Sequence, residues 1–232
     1  MMSAEDAATI IDSISKLVSS VIWPAVIVFL FLRYRDSFKN VIESLSEFSV
    51  KMPGVEASAK KAEARDALVA AAIGHRDAGT TPEIAAKEAT AAASAVDEVT
   101  PELIRQASGS IVLWVDDRPR NNKNERRALE ALGVRFVIAI STDDAFKILQ
   151  SNKFDAIISD MGRPPDDRAG YTLLDKLRRS GNTTPFVIYA GSRAPEHIEE
   201  SRQHGALGCT NRANELFEYV ISAITCKSKM LS

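Results

Sequence analysis

The second half of the sequence alternates short apolar runs with amphipathic stretches, and this alternation restricts the fold more than any other feature. After Gly109 the apolar runs are Ile111–Val115, Val134–Ile140, Phe154–Ser159, Phe186–Tyr189 and a weaker Ala206–Cys209. Helical periodicity follows each run, at about Asn122–Leu132, Asp143–Gln150, Tyr171–Arg179, Pro195–His204 and Asn214–Ile224. Because isoleucine- and valine-rich strands that alternate with helices form a parallel sheet covered on both faces, we expect an α/β domain here.

Acidic residues stand at the ends of two of these predicted strands. Five strand–helix units predict a flavodoxin-like, doubly wound, five-stranded parallel sheet of order 2-1-3-4-5, with ligands bound beyond the carboxyl ends of the first and third strands. The first strand ends in Asp116 and Asp117, and the third ends in Asp160. Neighbouring strands lie about 5 Å apart, so the three carboxylates should converge and repel one another. Hard oxygen ligands of this kind favour Mg²⁺; the alternative is a solvated acidic rim.

Three sequence motifs in this half resemble a known family. The runs IVLWVDD, FDAIISD with Pro164 four residues after Asp160, and GALGCTNR are similar, in order and spacing, to the receiver domain of response regulators, over about Ser110 to Ile224. The resemblance implies that Asp160 is a phosphoacceptor and that Asp116, Asp117, Asp160 and the backbone carbonyl of Gly162 hold Mg²⁺. It also implies a histidine kinase or a phosphotransfer protein as the phosphoryl donor.

The phosphate-reading positions depart from the receiver pattern. Ala190 stands where receivers carry a Ser/Thr hydroxyl, with Ser192 two residues on, and Arg212 stands where they carry a lysine. Cys209 occupies the aromatic switch position, and the loop MGRPPDDRAG is about two residues longer than usual. Two readings remain open: a phosphorylatable receiver, or a pseudo-receiver that controls self-association or partner binding. We expect no enzyme, since no Asp-x-Asp pair surrounds Asp160 as in a phosphohydrolase.

The N-terminal part of the chain contains an apolar run, LVSSVIWPAVIVFLFLRY, from Leu17 to Tyr34. At about 1.5 Å per residue, a helix of about 18–20 residues crosses a bilayer core, so this run predicts a transmembrane helix; a buried core helix or an oligomerisation hairpin is the alternative. Acidic residues precede it, Arg33 lies at its end, and Arg35 and Lys39 follow it. The positive-inside rule then places the N-terminus outside the inner membrane and the rest of the chain in the cytoplasm.

Two helical segments are expected between this run and the α/β domain. Residues 36–52 carry apolar side chains at three- and four-residue steps, which predicts an amphipathic helix for the membrane surface or for self-association. Residues 53–107 are rich in alanine and contain two helix starts, Thr81-Pro82-Glu83 and Thr100-Pro101-Glu102. Their few large apolar side chains predict a helical spacer, or a coil that pairs with its copy.

The expected organisation is a transmembrane anchor (1–35), an amphipathic juxtamembrane helix (36–52), an alanine-rich helical connector (53–107), a receiver-like domain (108–226) and a tail (227–232). A net charge of -2 gives no support for nucleic-acid binding, whereas the lipid bilayer and a second copy of the chain are expected partners. The architecture also suits a bacterial stress or phage-defence effector that clusters in the membrane.

Overall fold

The computed structural model describes residues 53–74, 81–191 and 194–230 of the chain. Glu56 onward belongs to one compact unit. The predicted transmembrane run 17–34 and the predicted amphipathic helix 36–52 lie outside the described residues, as does Ser192. Within the described residues, no helix combines the length and the apolar character that a membrane crossing requires.

Helices surround a central sheet in the described part of the chain. The strands are β1 (Ile111–Val115), β2 (Arg135–Ala139), β3 (Ala156–Ser159), β4 (Phe186–Tyr189) and β5 (Gly208–Thr210). The helices are α1 (Pro53–Gly74), α2 (Pro82–Asp97), α3 (Pro101–Ala107), α4 (Lys123–Ala131), α5 (Thr142–Ser151), α6 (Ala169–Arg179), α7 (Pro195–Gln203) and α8 (Ala213–Met230).

The sheet is parallel throughout and its order is β2-β1-β3-β4-β5, which confirms the predicted topology. In its register, Val115 at the end of β1 pairs with Ala139 on one side and Ser159 on the other. The carboxyl ends of β1 and β3 therefore lie side by side. The predicted bounds of β1 and β4 match the structure, whereas the weakest strand, β5, begins two residues later than expected.

The two faces of the sheet bury separate apolar clusters. Because side chains alternate along a strand, Val112 and Trp114 join one cluster while Leu113 and Val115 join the other. The Trp114 ring meets the Tyr189 ring edge-on, with centroids 6.1 Å apart. The first cluster continues into α1, α2 and α3, and the second is closed by α5 and α6.

The two predicted helix starts are confirmed. Thr81 is the N-cap of α2 and its side-chain oxygen accepts from the backbone N–H of Ile84, while Thr100 does the same for α3 and the N–H of Leu103. Each is followed by a proline in the first turn, where no backbone N–H is needed for the helix ladder.

The alanine-rich segment is helical as predicted, but the expected exposed spacer is not observed. Leu68, Ala92 and Val96 have no exposed surface and lie in the same cluster as β1 and α8. Helix α8 packs directly against α2 and α3. We expected these helices to have too little apolar surface to form a core, and this expectation was wrong. Alanine lets helix backbones approach closely, so small side chains can form a densely packed layer without large ones. Residues on both sides of the predicted boundary at 108 thus share one core.

We expect Leu68→Ala to destabilise the protein by about 2–5 kcal/mol, because it removes a fully buried side chain from a packed cluster. Chemical denaturation of the full chain measures the effect. Ile84→Ala, at a side chain that is 47% exposed, is the control and should stay within about 0.5 kcal/mol of the unmodified protein. Equal, negligible effects of both variants would mean that α1 does not belong to the core.

Candidate functional site

A crevice of about 420 Å³ opens where β1, β3 and β4 end. Its lining is mainly polar and comes from the loops that follow these strands: Asp116, Asp117, Arg118, Asn121, Asn122, Asp160, Gly162, Pro164, Asp167, Tyr189, Ala190, Gly191 and Asn211. A crevice beyond the carboxyl ends of parallel strands is where this architecture binds its ligands.

Three carboxylates meet in this crevice, as the sequence predicted. Asp116, Asp117 and Asp160 each offer an oxygen, and these oxygens all lie within 4.8 Å of one another. Asp116 is almost completely buried and its carboxylate accepts from the backbone N–H of Arg118 at 2.6 Å and from the side-chain amide of Asn122. The solvated acidic rim considered as an alternative is therefore excluded for Asp116, which the fold encloses.

Asp160 is contacted by the backbone of the next residue and by the start of α6. The backbone N–H of Met161 donates to Asp160 Oδ1 at 2.7 Å. Gly170, in the first turn of α6, lies so close that a Cβ there would be 3.0 Å from the Asp160 carbonyl oxygen. Burial raises the pKa of the Asp160 carboxyl above its usual value, and the nearby charges of Asp116 and Asp117 raise it further.

The donor set fits a hard divalent cation. Three carboxylates that converge in a partly open crevice supply the oxygen ligands that Mg²⁺ takes, and the crevice has room for the water ligands that this ion keeps. Gly162, which the resemblance assigned as a backbone ligand, lines the same crevice. The predicted metal-binding residues are thus brought together.

Of the residues expected to contact the phosphoryl group or to act as a switch, only some lie at the crevice. Ala190 lines the crevice and leaves it without a hydroxyl at that position. Cys209 is buried in β5, and burial raises the pKa of its thiol. Arg212 does not line the crevice: its Nε lies 3.6 Å from Glu88 Oε1 of α2, and its Nη1 lies 3.7 Å from Glu215 Oε1. Two carboxylates, one of them from the alanine-rich segment, thus lie beside the guanidinium of Arg212, and its contact with a phosphoryl group stays a prediction.

Sequence reasoning missed Arg163, a buried arginine whose side chain contacts the backbone of Asp160. Its side chain is 3% exposed. Its Nη1 donates to the Asp160 carbonyl at 2.6 Å and to the Ser159 hydroxyl at 2.7 Å, and its Nη2 donates to the Thr142 hydroxyl at 3.1 Å. The one available signal was the longer loop after Asp160, which did not reveal the direction of the side chain.

The longer loop folds into a small hairpin that turns Arg163 inward. The backbone N–H of Arg163 donates to the carbonyl of Asp166 at 2.9 Å, and the N–H of Asp166 donates back at 2.8 Å. The Asp166 carboxylate then accepts from the backbone N–H of Arg168 and from the Thr172 hydroxyl, and these bonds lower its pKa. Asp166 thereby ties the hairpin to the start of α6.

The raised pKa of Asp160 predicts a stability gain on neutralisation. A carboxyl whose folded pKa lies above its unfolded value destabilises the fold when ionised, so the cost is present at neutral pH and disappears as pH falls through the folded pKa toward 3.8. In metal-free buffer, Asp160→Asn should raise the free energy of unfolding at pH 7, and the gain should shrink as the pH approaches 4. Asp166→Asn, at a carboxyl with a lowered pKa, should give no gain at pH 7. A gain for Asp160→Asn that did not change with pH would contradict the electrostatic cause.

Comparisons with known proteins agree with this geometry. Residues 112–216 match the family model of the response regulator receiver domain. The sensor histidine kinase RcsC of Escherichia coli K12 is 26% identical over 113 residues, which are 49% of this chain and 12% of that protein. RcsC of Salmonella typhimurium is 29% identical over 102 residues, 44% of this chain and 10% of that protein. The chain therefore matches only about a tenth of the length of these curated relatives.

Solved structures of receiver domains and response regulators align with about half of the chain at low sequence identity. The receiver domain of a Francisella response regulator is 22% identical, with a TM-score of 0.47 over 51% of this chain and 99% of that one. The chemotaxis response regulator CheY4 of Vibrio cholerae is 24% identical, with a TM-score of 0.42 over 48% of this chain and 98% of that one. The family match, the strand order and the convergent carboxylates together identify residues 112–216 as a response regulator receiver domain of two-component signalling.

Proposed function

We propose that this receiver domain accepts a phosphoryl group on Asp160 in a Mg²⁺-dependent reaction. The observation that carries the proposal is the convergence of Asp116, Asp117 and Asp160 within 4.8 Å in an open crevice. Close carboxylates, two of which accept backbone hydrogen bonds, suit a site that takes up a cation and a phosphoryl group together. This favours a phosphorylatable receiver over a pseudo-receiver.

The reaction needs little beyond positioning. The Met161 N–H holds one oxygen of the Asp160 carboxylate and leaves the other to attack the phosphorus of a donor in line with the leaving group. The new oxygen–phosphorus bond forms as the donor's bond to phosphorus breaks, and the leaving group departs with that electron pair. Mg²⁺, when bound by the three carboxylates, neutralises charge on the phosphoryl oxygens. Asp160 is a stoichiometric acceptor, so the proposal assigns no enzymatic turnover to the chain.

The proposed donor is a histidine kinase or a phosphotransfer protein. The curated relatives named above are sensor histidine kinases, and the present chain is similar to only a small part of each. Helices α2 and α3 lie against α8, and Glu88 of α2 contacts Arg212 beside the crevice. Asn211, the residue before Arg212, lines the crevice. We propose that a change at Asp160 alters the contacts of the domain with a partner or with a second copy of the chain.

Phosphorylation is tested on the full chain with acetyl phosphate and Mg²⁺. We expect a mass increase of one phosphoryl group, lost on addition of EDTA and lost in Asp160→Asn, because both the nucleophile and the cation are needed. Beryllofluoride should protect the unmodified protein against heat and should leave Asp160→Asn unchanged.

Asp167→Asn is the matched control, since Asp167 lines the same crevice but is not part of the carboxylate cluster. It should keep at least about half of the phosphorylation rate. If Mg²⁺ stabilises the unmodified protein but neither acetyl phosphate nor beryllofluoride reacts, the domain is a pseudo-receiver. Equal phosphorylation of Asp160→Asn would disprove the assignment of the acceptor.

We further propose that residues 17–34 anchor the chain in the inner membrane, with the receiver domain on the cytoplasmic side. The support is the uninterrupted apolar run and the basic residues that follow it. The full chain should sediment with membranes and resist carbonate extraction. Val28→Arg with Leu30→Arg places two charges near the middle of the run, each costing about 3 kcal/mol, and should release the protein. Val28→Leu is the control, and recovery of the unmodified chain in the soluble fraction would contradict the anchor.

A further inference from the structure

Arg163 is the only arginine among the buried side chains of the described residues. A buried guanidinium is costly unless charges and hydrogen bonds compensate for the lost water. Arg163 has three good acceptors, the Asp160 carbonyl and the hydroxyls of Ser159 and Thr142, and a longer contact of 3.4 Å to the Val115 carbonyl. Its Nε has no hydrogen-bond partner among the described residues. Hydrogen bonds alone therefore do not fully compensate for its burial.

Arg163 lies beside the acid cluster, because its Nη1 donates to the backbone carbonyl of Asp160. The pKa of Arg163 is lowered by burial, and the carboxylates of Asp160, Asp116 and Asp117 act in the opposite direction, with Asp160 the strongest. In return, the charge of Arg163 counteracts the rise in the pKa of Asp160. The charges of Arg163 and Asp160 thus favour each other's ionised form.

The acceptors of Arg163 also join separate elements. Val115 ends β1, Ser159 and Asp160 end β3, and Thr142 begins α5. These are the strand ends that carry the carboxylates, and the backbone N–H of Asp160 bonds the carbonyl of Val115 at 3.0 Å in the same place. A single planar guanidinium, with donors in a fixed fork, can hold several acceptors that a lysine ammonium at the same site would not match.

We infer that Arg163 is a positioning residue that holds Asp116, Asp117 and Asp160 together before a cation binds. Its positive charge offsets the charge of the carboxylates, which is its counter-ion role. Its hydrogen bonds join the ends of the strands that carry them, which is its strut role. It deepens the proposed function, since it concerns the same cluster. It also explains how the site tolerates three adjacent carboxylates while Arg212 is engaged by Glu88 and Glu215.

The counter-ion role is tested by a double-mutant cycle in EDTA at pH 7, with folding equilibrium constants from chemical denaturation of the full chain. Asp160→Asn removes the carboxylate charge but keeps the backbone carbonyl that Arg163 contacts, so the cycle isolates the charge interaction. Arg163→Met should reduce the folding constant about tenfold more in the unmodified background than in Asp160→Asn. Equal reductions in the two backgrounds would overturn the counter-ion role. Should Arg163→Met alone fail to fold, recovery of folding in the double variant supports the inference, and failure of both overturns it.

Arg178→Met is the matched control. Arg178 also donates to several backbone carbonyls, those of Asn182, Thr184 and Gly205, but it is not part of the crevice. Its effect on the folding constant should be the same with and without Asp160→Asn. A coupling as large as that of Arg163 would mean that the cycle reports general destabilisation, and the inference would fail.

The strut role is tested with Arg163→Lys, which keeps the positive charge but loses the planar fork. Amide exchange of Asp160, whose N–H bonds the Val115 carbonyl, should become at least about tenfold faster, while the coupling to Asp160→Asn persists. Unchanged exchange would overturn the strut role.

Titration with Mg²⁺ separates this inference from the proposed function. Arg163→Met should gain more stability from saturating Mg²⁺ than the unmodified protein does, because the cation replaces the missing charge. If Mg²⁺ does not stabilise the unmodified protein at all, the proposed function fails, and the cycle measured in EDTA still decides the role of Arg163.

Discussion

The parallel pairing of β1 with β3 is the constraint on which the site depends. It places the ends of two strands side by side, and the chain continues from both into acidic residues, so three carboxylates come within 4.8 Å of one another. The other polar features of the crevice compensate for this concentration of negative charge. Backbone N–H groups and the Asn122 amide donate to the carboxylates of Asp116 and Asp160, and the buried guanidinium of Arg163 donates to the Asp160 carbonyl.

The two arginines near the site have partners that the receiver pattern does not predict. Arg212, at the position that resembles the receiver lysine, pairs with Glu88 and Glu215, and the longer loop brings Arg163 under the cluster. The alanine-rich helices contribute to this arrangement, because α2 provides Glu88. Helices α1, α2 and α3 share an apolar cluster with one face of the sheet and with α8. These helices and the domain that carries the crevice therefore form one packed structure.

The features that the sequence predicted well depend on short-range rules. The strands β1 and β4 are short, continuous apolar runs, and the caps at Thr81 and Thr100 are local patterns of three residues. The convergence of Asp116, Asp117 and Asp160 followed from strand order alone. The burial of α1 and α2 was missed because large apolar side chains were taken as the measure of a core, whereas Ala64, Ala71 and Ala92 pack closely by being small. The burial of Arg163 and the pairing of Arg212 with Glu88 were missed because the partners are distant in sequence.

The sequence by itself determined the α/β class, the order of the strands and the acidic strand ends, since alternation of hydrophobic residues and position within a strand are properties of the chain alone. Only the tertiary structure decided which arginine lies buried beside the carboxylates. It also decided whether the alanine-rich helices stand apart from the domain. A guanidinium can reach several acceptors on its long, flexible side chain, and the choice among them depends on which charges the fold brings near. That choice is made by packing, which sets the distances between residues far apart along the chain.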